Sequence, residues 1–201
     1  MPLPPSLGLR HGFIYEVAAT TLGAPGPHAA PIGVATPDGV VLRAELYKGS
    51  TTLANILDNG VAGLNFLPEA ALLHQALHHR DELRFETPAP QAGEPSPAVP
   101  FLTGADAWLE LCRVRIEDAG RMVRLEASPG RFRAFGPVRL INRAEGLLLE
   151  SLVLSTRLRL LPPEVVAAQL RENARVIAKV APGSAQAAAM GDLLDVLGLS
   201  S

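Results

Sequence analysis

Up to about residue 140, apolar residues alternate with polar or small ones over short stretches; beyond that they recur at helical spacing. In the stretch from Phe13 to Leu22, positions Phe13, Tyr15, Val17, Ala19 and Thr21 share one face, which predicts a strand. His28 to Ala35 predicts a second strand of small residues, and Pro31 inside it marks an edge, an end or a bulge. Pro37-Asp38-Gly39 is a hairpin turn, and Val40 to Tyr47 predicts a third strand. Leu53, Ile56 and Leu57 then fall at helical spacing, between an N-cap at Ser50 and a C-cap glycine at Gly60. Val61 to Leu67 predicts a fourth strand, and Pro68 opens a helix reaching about His79. Ala107 to Glu117 predicts a strand with Trp108, Cys112, Val114 and Ile116 on one face. Asp118-Ala119-Gly120 turns it back into Arg121 to Ala127. Ser128-Pro129-Gly130 predicts another turn, after which Arg131 to Phe135 pairs further.

The pattern changes after residue 140. Asn142-Arg143-Ala144-Glu145 is a near capping box, with asparagine at the cap, and a Leu-rich helix runs on to about Leu158. Pro162-Pro163 breaks it, a second helix covers Glu164 to Val180, and Ser184 caps a third that ends near Gly198. Residues 87–104 are rich in proline and predict a long surface loop, an exposed crossover or a lid, mobile without ligand. The fold class expected is α+β. Residues 1–140 form an antiparallel β domain with one or two interposed helices, and residues 141–201 a small helical subdomain.

Composition narrows the function classes. Nearly half of the 201 residues are apolar, enough for a core, and the formal net charge of -2 gives no electrostatic basis for binding nucleic acid. The single cysteine, Cys112, excludes an intrachain disulfide and a Cys-rich metal site, and makes a reducing cytoplasm the simplest compartment. The N-terminal residues lack a basic region followed by an apolar run, so no signal peptide is expected, and no apolar segment is long enough to span a bilayer.

Chemistry-bearing motifs are few. His74 and His78 stand at i, i+4, the spacing of a two-ligand metal face with His79 or Asp81 as a third ligand, but the glutamate of HExxH is absent. Solvated polar residues are the better reading, and no metal is expected. Cys112 reads as a structural thiol in an apolar face. Glu150 and Arg157, seven apart, read as a structural ion pair. GxSxG, P-loop and GxGxxG patterns are all missing. What remains is cumulative. The strand end Thr20-Thr21, the small-residue segment Ala29-Ala30-Pro31 and the helix start Lys48-Gly49-Ser50-Thr51-Thr52 would lie together if the strands pair in order. A helix start with a lysine and three hydroxyls suits a phosphate. The backbone along Ala29-Ala30-Pro31 suits a flat ring.

These segments resemble a known family. Tyr15-Glu16, Thr20-Thr21, Ala29 to Val34, Leu46 to Thr52 and Asn65-Phe66 are similar to the opening of the domain of unknown function 447 family, within the FMN-binding split-barrel, flavin-reductase-like superfamily. Leu102 to Trp108, Asn142 to Glu145, Glu150 and Thr156-Arg157 continue the similarity over nearly the whole chain. The resemblance implies a six-stranded antiparallel split barrel, a C-terminal helical extension, and a homodimer with FMN at or near its interface. It implies that Lys48, Ser50, Thr51 and Thr52 hold the FMN phosphate, that Ala29, Ala30 and Pro31 line the isoalloxazine, and that Thr20, Thr21 and Asn65 stand nearby. The family's pattern favours arginine at the position of Lys48 or Thr51. Lysine offers phosphate a point charge without a bidentate fork.

Two functions follow. One is an FMN-dependent oxidoreductase or flavin reductase that takes hydride or electrons from NAD(P)H or another small donor. The other is a flavin-binding carrier or assembly module without catalysis. No side chain declares itself as a catalytic acid or base.

Overall fold

The computed structural model describes residues 2–88, 99–158 and 160–199. The chain divides into two compact units. One holds Tyr15–Ile141 with the N-terminal segment up to His11; the other holds the chain from Asn142 onward with Gly12–Ile14.

The first unit is a closed six-stranded barrel. Its strands are β1 (Ile14–Gly23), β2 (Gly26–Ala35), β3 (Leu42–Tyr47), β4 (Ala62–Phe66), β7 (Ala107–Ala119) and β8 (Met122–Ala134). Around the barrel the order is β1-β2-β3-β8-β7-β4, and the register confirms antiparallel pairing of β4 with β1 and with β7. The helix α1 (Thr51–Asn59) lies between β3 and β4, and α2 (Ala70–His78) follows β4. A separate two-stranded sheet pairs β5 (Phe85–Glu86) with β6 (Phe101–Leu102). Residues 87–104 are therefore not all loop, because Phe101 and Leu102 form a strand. Residues 89–98, the heart of the expected lid, lie outside the described residues.

Side-chain alternation explains which face is inside. On β3, Leu42, Ala44 and Leu46 are buried while Arg43, Glu45 and Tyr47 are exposed. Their partners on β8 repeat the pattern: Ala44 stands opposite Leu125 and Leu46 opposite Val123. Leu64 of β4 stands between Ala19 of β1 and Leu109 of β7. This set of buried aliphatics fills the barrel. Outside, charges alternate across three strands, since Arg43 faces Glu126 and Glu126 faces Arg115. Cross-strand opposite charges of this kind favour the register without requiring burial.

The expected turn at Ser128-Pro129-Gly130 is instead part of one continuous strand, β8. Pro129 pairs with Leu111 of β7, next to a register shift between Leu109 and Leu111. The strand β3 pairs only as far as Ala127. Beyond that residue β8 has one partner strand, where a proline is tolerated. Gly130 instead stands close to Glu110 of β7: a Cβ there would lie 2.9 Å from its Oε2 and 3.3 Å from its Cβ and Cγ. A second register shift, between Cys112 and Arg115, brackets Arg113, which has a φ of 51°. Cys112 is only half-buried, and its thiol meets the Ser128 carbonyl oxygen at 3.5 Å.

The second unit contains α3 (Arg143–Ser155), α4 (Pro163–Val180) and α5 (Ala185–Val196). Caps fix two of the starts: Asn142 accepts from the Ala144 N–H and Ser184 from the Ala187 N–H. Val166, Leu170, Ile177 and Val180 of α4 are buried at helical spacing, with Met190 from α5. Polar groups join α3 to α4, as Asn173 donates to Ser151 Oγ at 3.0 Å and both side chains are buried. The helix α3 ends at Ser155, so Arg157 lies beyond it and no ion pair joins Arg157 to Glu150. Among the described residues, no helix is long and apolar enough to cross a membrane.

Among the described glycines, Gly63 in β4 leaves the least room for a Cβ. A Cβ there would stand 2.3 Å from Trp108 Nε1 and 2.5 Å from Thr20 Oγ1. Neither group is a flexible end, since both residues are fully buried. Gly63→Ala is therefore expected to destabilise the fold by about 1–3 kcal/mol as an overpacked site. Urea denaturation checks this, and an unchanged midpoint would mean that the strand yields freely.

Candidate functional site

The helix α1 starts where the sequence placed it. Ser50 is extended at the N-cap and its Oγ accepts from the Leu53 N–H at 3.3 Å. Gly60 closes the helix in the left-handed conformation, donating to the Ile56 carbonyl oxygen. Thr51 is exposed, Ser50 is half-buried, and Thr52 is buried with Leu53 and Ile56 beneath the helix. The N–H groups of Thr51 and Thr52 have no carbonyl partner within the helix, because the first turn has none preceding it. They remain the open donors at this end, while the Ser50 hydroxyl serves the N–H of Leu53.

Lys48 lies in the turn before α1. Its Nζ donates to Asp118 Oδ2 at 2.6 Å. Asp118 ends the β7 side of the β7–β8 hairpin, and its other oxygen accepts from the Gly120 N–H at 2.8 Å. The hydrogen bond from Lys48, and then that from Gly120, hold the Asp118 carboxyl below its ordinary pKa. The pair is exposed, so it contributes little stability. Its consequence is electrostatic: the positive charge before α1 already faces a carboxylate. From the sequence alone Asp118 reads only as a turn residue. It meets Lys48 because β3 runs alongside β8, with Tyr47 opposite Met122.

Thr20, Thr21 and Asn65 are fully buried, and their polar atoms are engaged with the framework. Asn65 Nδ2 donates to the Ala18 carbonyl oxygen at 3.0 Å and to Thr20 Oγ1 at 3.1 Å. Its Oδ1 accepts from the Leu102 N–H at 2.8 Å. Thr20 Oγ1 donates to the Pro100 carbonyl oxygen at 2.6 Å. Thr21 Oγ1 accepts from Asn55 Nδ2 at 3.0 Å, which ties β1 to α1. Asn55 escaped the sequence reading, although a polar residue on the apolar side of a capped helix is a visible signal.

On β2, Ala29 is buried in a cluster with Ala18, Leu67 and Ala76, backed by Leu72 and Leu73 of α2. Ala30 and Pro31 are half-buried. The preceding residue, His28, is held below its ordinary pKa by burial and by the nearby charge of Arg80. Of the small-residue segment, Ala30 and Pro31 are thus the positions partly open to a ligand. Strand order puts β2 next to β1, and α1 packs against β2 and β3; Asn55 and Asn59, from the middle and end of α1, bond to Thr21 and to the Leu22 carbonyl oxygen at the end of β1.

The two histidines of α2 and His79 just beyond its end gather on the surface, with the His74 ring 5.0 Å from that of His78 and 5.4 Å from that of His79. Among the described residues, no group of three or more His, Cys, Asp or Glu is arranged to hold a metal ion.

Replacing Asn65 tests its framework role. In Asn65→Leu, the buried N–H of Leu102 loses its Asn65 partner. An unsatisfied buried group costs about 1–3 kcal/mol, so the ligand-free protein is expected to lose at least about 1 kcal/mol. Thermal or urea denaturation without any ligand measures it; wild-type stability would show that these bonds are dispensable.

Comparison with known proteins now bears on this geometry. No curated protein matches the chain. Among solved structures, an FMN-bound protein of Methanosarcina mazei, assigned to the DUF447 family, superposes with a TM-score of 0.55 at 24% identity, covering 95% of this chain and 98% of that one. A provisionally named flavin reductase from Haemophilus somnus gives a TM-score of 0.51 at 14% identity, covering 63% of this chain and 84% of that one. A similarly named protein with a split barrel domain, from Shewanella frigidimarina, gives 0.50 at 12%, covering 61% and 68%. These likenesses establish the split-barrel fold. At the level of family, the N-terminal domain model of the protein of unknown function DUF447 matches residues 15–133, and the C-terminal model matches residues 142–191. The chain belongs to the DUF447 family.

Proposed function

We propose that this chain is an FMN-binding flavoprotein and works as a homodimeric oxidoreductase, taking electrons from a reduced nicotinamide. The observation that carries the reading is the similarity over 95% of its length to an FMN-bound protein assigned to the same family. The local chemistry supports it. The first turn of α1 has open N–H donors, a hydroxyl on Thr51 and a lysine one residue before the cap. Thr51 and Thr52 would hold the phosphate through their N–H groups, with Lys48 and the Ser50 and Thr51 hydroxyls around it. Ala30 and Pro31 would bear on the flavin ring. When bound, FMN itself supplies the hydride and electron chemistry. The residues of this chain then have binding and orientation as their tasks.

Asp118 adds a condition. A phosphate at the helix start has to share Lys48 with this carboxylate. Asp118→Asn removes a negative charge beside the phosphate and is expected to tighten FMN several-fold. Lys48→Ala is expected to weaken FMN by about tenfold or more, as loss of a charge-assisted contact does. Riboflavin, which lacks the phosphate, should respond to neither. Titration by flavin fluorescence quenching measures all of these. Equal responses of FMN and riboflavin would remove Lys48 from the phosphate site. For the oxidoreductase, bleaching of the yellow complex by NADH or NADPH is expected. A complex that stays oxidised with both would favour a flavin carrier instead.

Exposed apolar side chains support the dimer. Leu22, Tyr47 and Leu57 of the barrel unit are exposed at 41%, 71% and 64%, and Leu149 and Leu152 of α3 at 61% and 45%. Exposed apolar side chains of this number leave area for a partner to cover. Analytical ultracentrifugation at micromolar concentration is expected to give a dimer; a monomer in the presence of FMN would contradict an interfacial flavin.

A further inference from the structure

A cavity of about 230 Å³ opens on the flank of the barrel unit, beside α2 and the small β5–β6 sheet. Its floor is four leucines, Leu67, Leu72, Leu83 and Leu102. They belong to, or pack on, the core cluster under α2, so the floor is fixed by the fold. Its rim is polar, with Gln75, Glu82, Arg84 and Thr103.

The rim charges are not equally engaged. Glu82 Oε2 accepts from Gln75 Nε2 at 3.4 Å, and its Oε1 lies 3.6 Å from His79 Nδ1. Glu86, two residues past Arg84, accepts from the Thr103 hydroxyl at 3.1 Å. Arg84 forms no ion pair with any described residue. Its backbone is nonetheless fixed, because its carbonyl oxygen accepts from the Thr103 N–H at 2.9 Å. An exposed arginine lining a leucine-rich cavity, with no carboxylate partner among the described residues, calls for an anionic group on an apolar body.

We propose that this cavity binds a small ring-bearing carboxylate, with the ring on the leucines and the carboxylate on Arg84. Size sets the body. The cavity is smaller than the roughly 300–1,000 Å³ of sites for drug-sized ligands, which limits the occupant to about one ring. Charge sets the head group. A planar carboxylate matches the guanidinium fork through two parallel hydrogen bonds. The neighbouring Glu82 penalises a dianion such as a phosphate monoester more than a monoanion. The proposal is independent of flavin binding, and its test uses no flavin.

Benzoate, benzyl alcohol and acetate separate the contributions, and ligand-observed NMR or calorimetry with the full chain reads them. Benzoate is expected to bind saturably. Benzyl alcohol, which keeps the ring without the charge, should bind at least about tenfold more weakly, and acetate should not bind measurably. In Arg84→Gln, an exposed substitution outside the core, benzoate should fall to the level of benzyl alcohol, while benzyl alcohol is unchanged. Inorganic phosphate should not displace benzoate. Absence of saturable benzoate binding, or an Arg84→Gln variant that binds benzoate as the wild type does, overturns the assignment.

Discussion

The barrel depends on one buried amide. Asn65 sits in β4 opposite Ala18 of β1 and Trp108 of β7, on the outer face of the sheet. Its side chain satisfies a carbonyl of β1, the hydroxyl of Thr20 and the N–H of Leu102 together. Inside a protein such groups are costly when unpaired, so a network with every member satisfied selects one arrangement of the chain. Here that arrangement brings the segment Pro100–Leu102 onto the outside of the barrel. Phe101 then packs near Trp108 and stacks on Phe135 at a ring separation of 4.7 Å. Gly63 is the steric side of the same constraint, because it is the gap through which Trp108 and Thr20 approach β4.

From that seam the candidate sites follow. With β1 fixed against β4, Thr21 can accept from Asn55 and dock α1, and Gly23 leaves space for the Asn55 amide, which would otherwise stand 2.4 Å from a Cβ. Docking α1 sets where its first turn points its open N–H groups. Covering the outer face of β1 and β2 with α2 buries Ala29 and leaves Ala30 and Pro31 at the border. The leucine floor beside α2 comes from the same packing. The first turn of α1 and the leucine-lined cavity thus both derive from how a single sheet is closed and covered.

Much of this was legible in the sequence, for identifiable reasons. Alternation on Leu42 to Tyr47 and caps at Ser50, Asn142 and Ser184 act within a few residues, and the structure keeps them. Proline and glycine misled at Ser128-Pro129-Gly130. A turn and a single-partnered strand both accept Pro129, and only the register with β7 shows that Gly130 yields to Glu110. The β5–β6 pair was hidden because two-residue strands carry no period. Burial of Thr20 and Asn65 was also hidden. Their residue types suit a ligand site or a framework bond equally, and partners between 37 and 80 residues away decide. The ion pair of Lys48 with Asp118 spans 70 residues and exists only through the order β3-β8-β7.

The central claim is that a flavin phosphate rests on the first turn of α1. The most direct measurement is an amide-resolved NMR titration of the labelled protein with FMN and, separately, with riboflavin. The account predicts that the amides of Ser50, Thr51 and Thr52 shift strongly with FMN and far less with riboflavin, while those around Ala30 and Ile32 shift with both. If the two flavins perturb the start of α1 alike, or leave it unperturbed while shifting amides elsewhere, the account is contradicted.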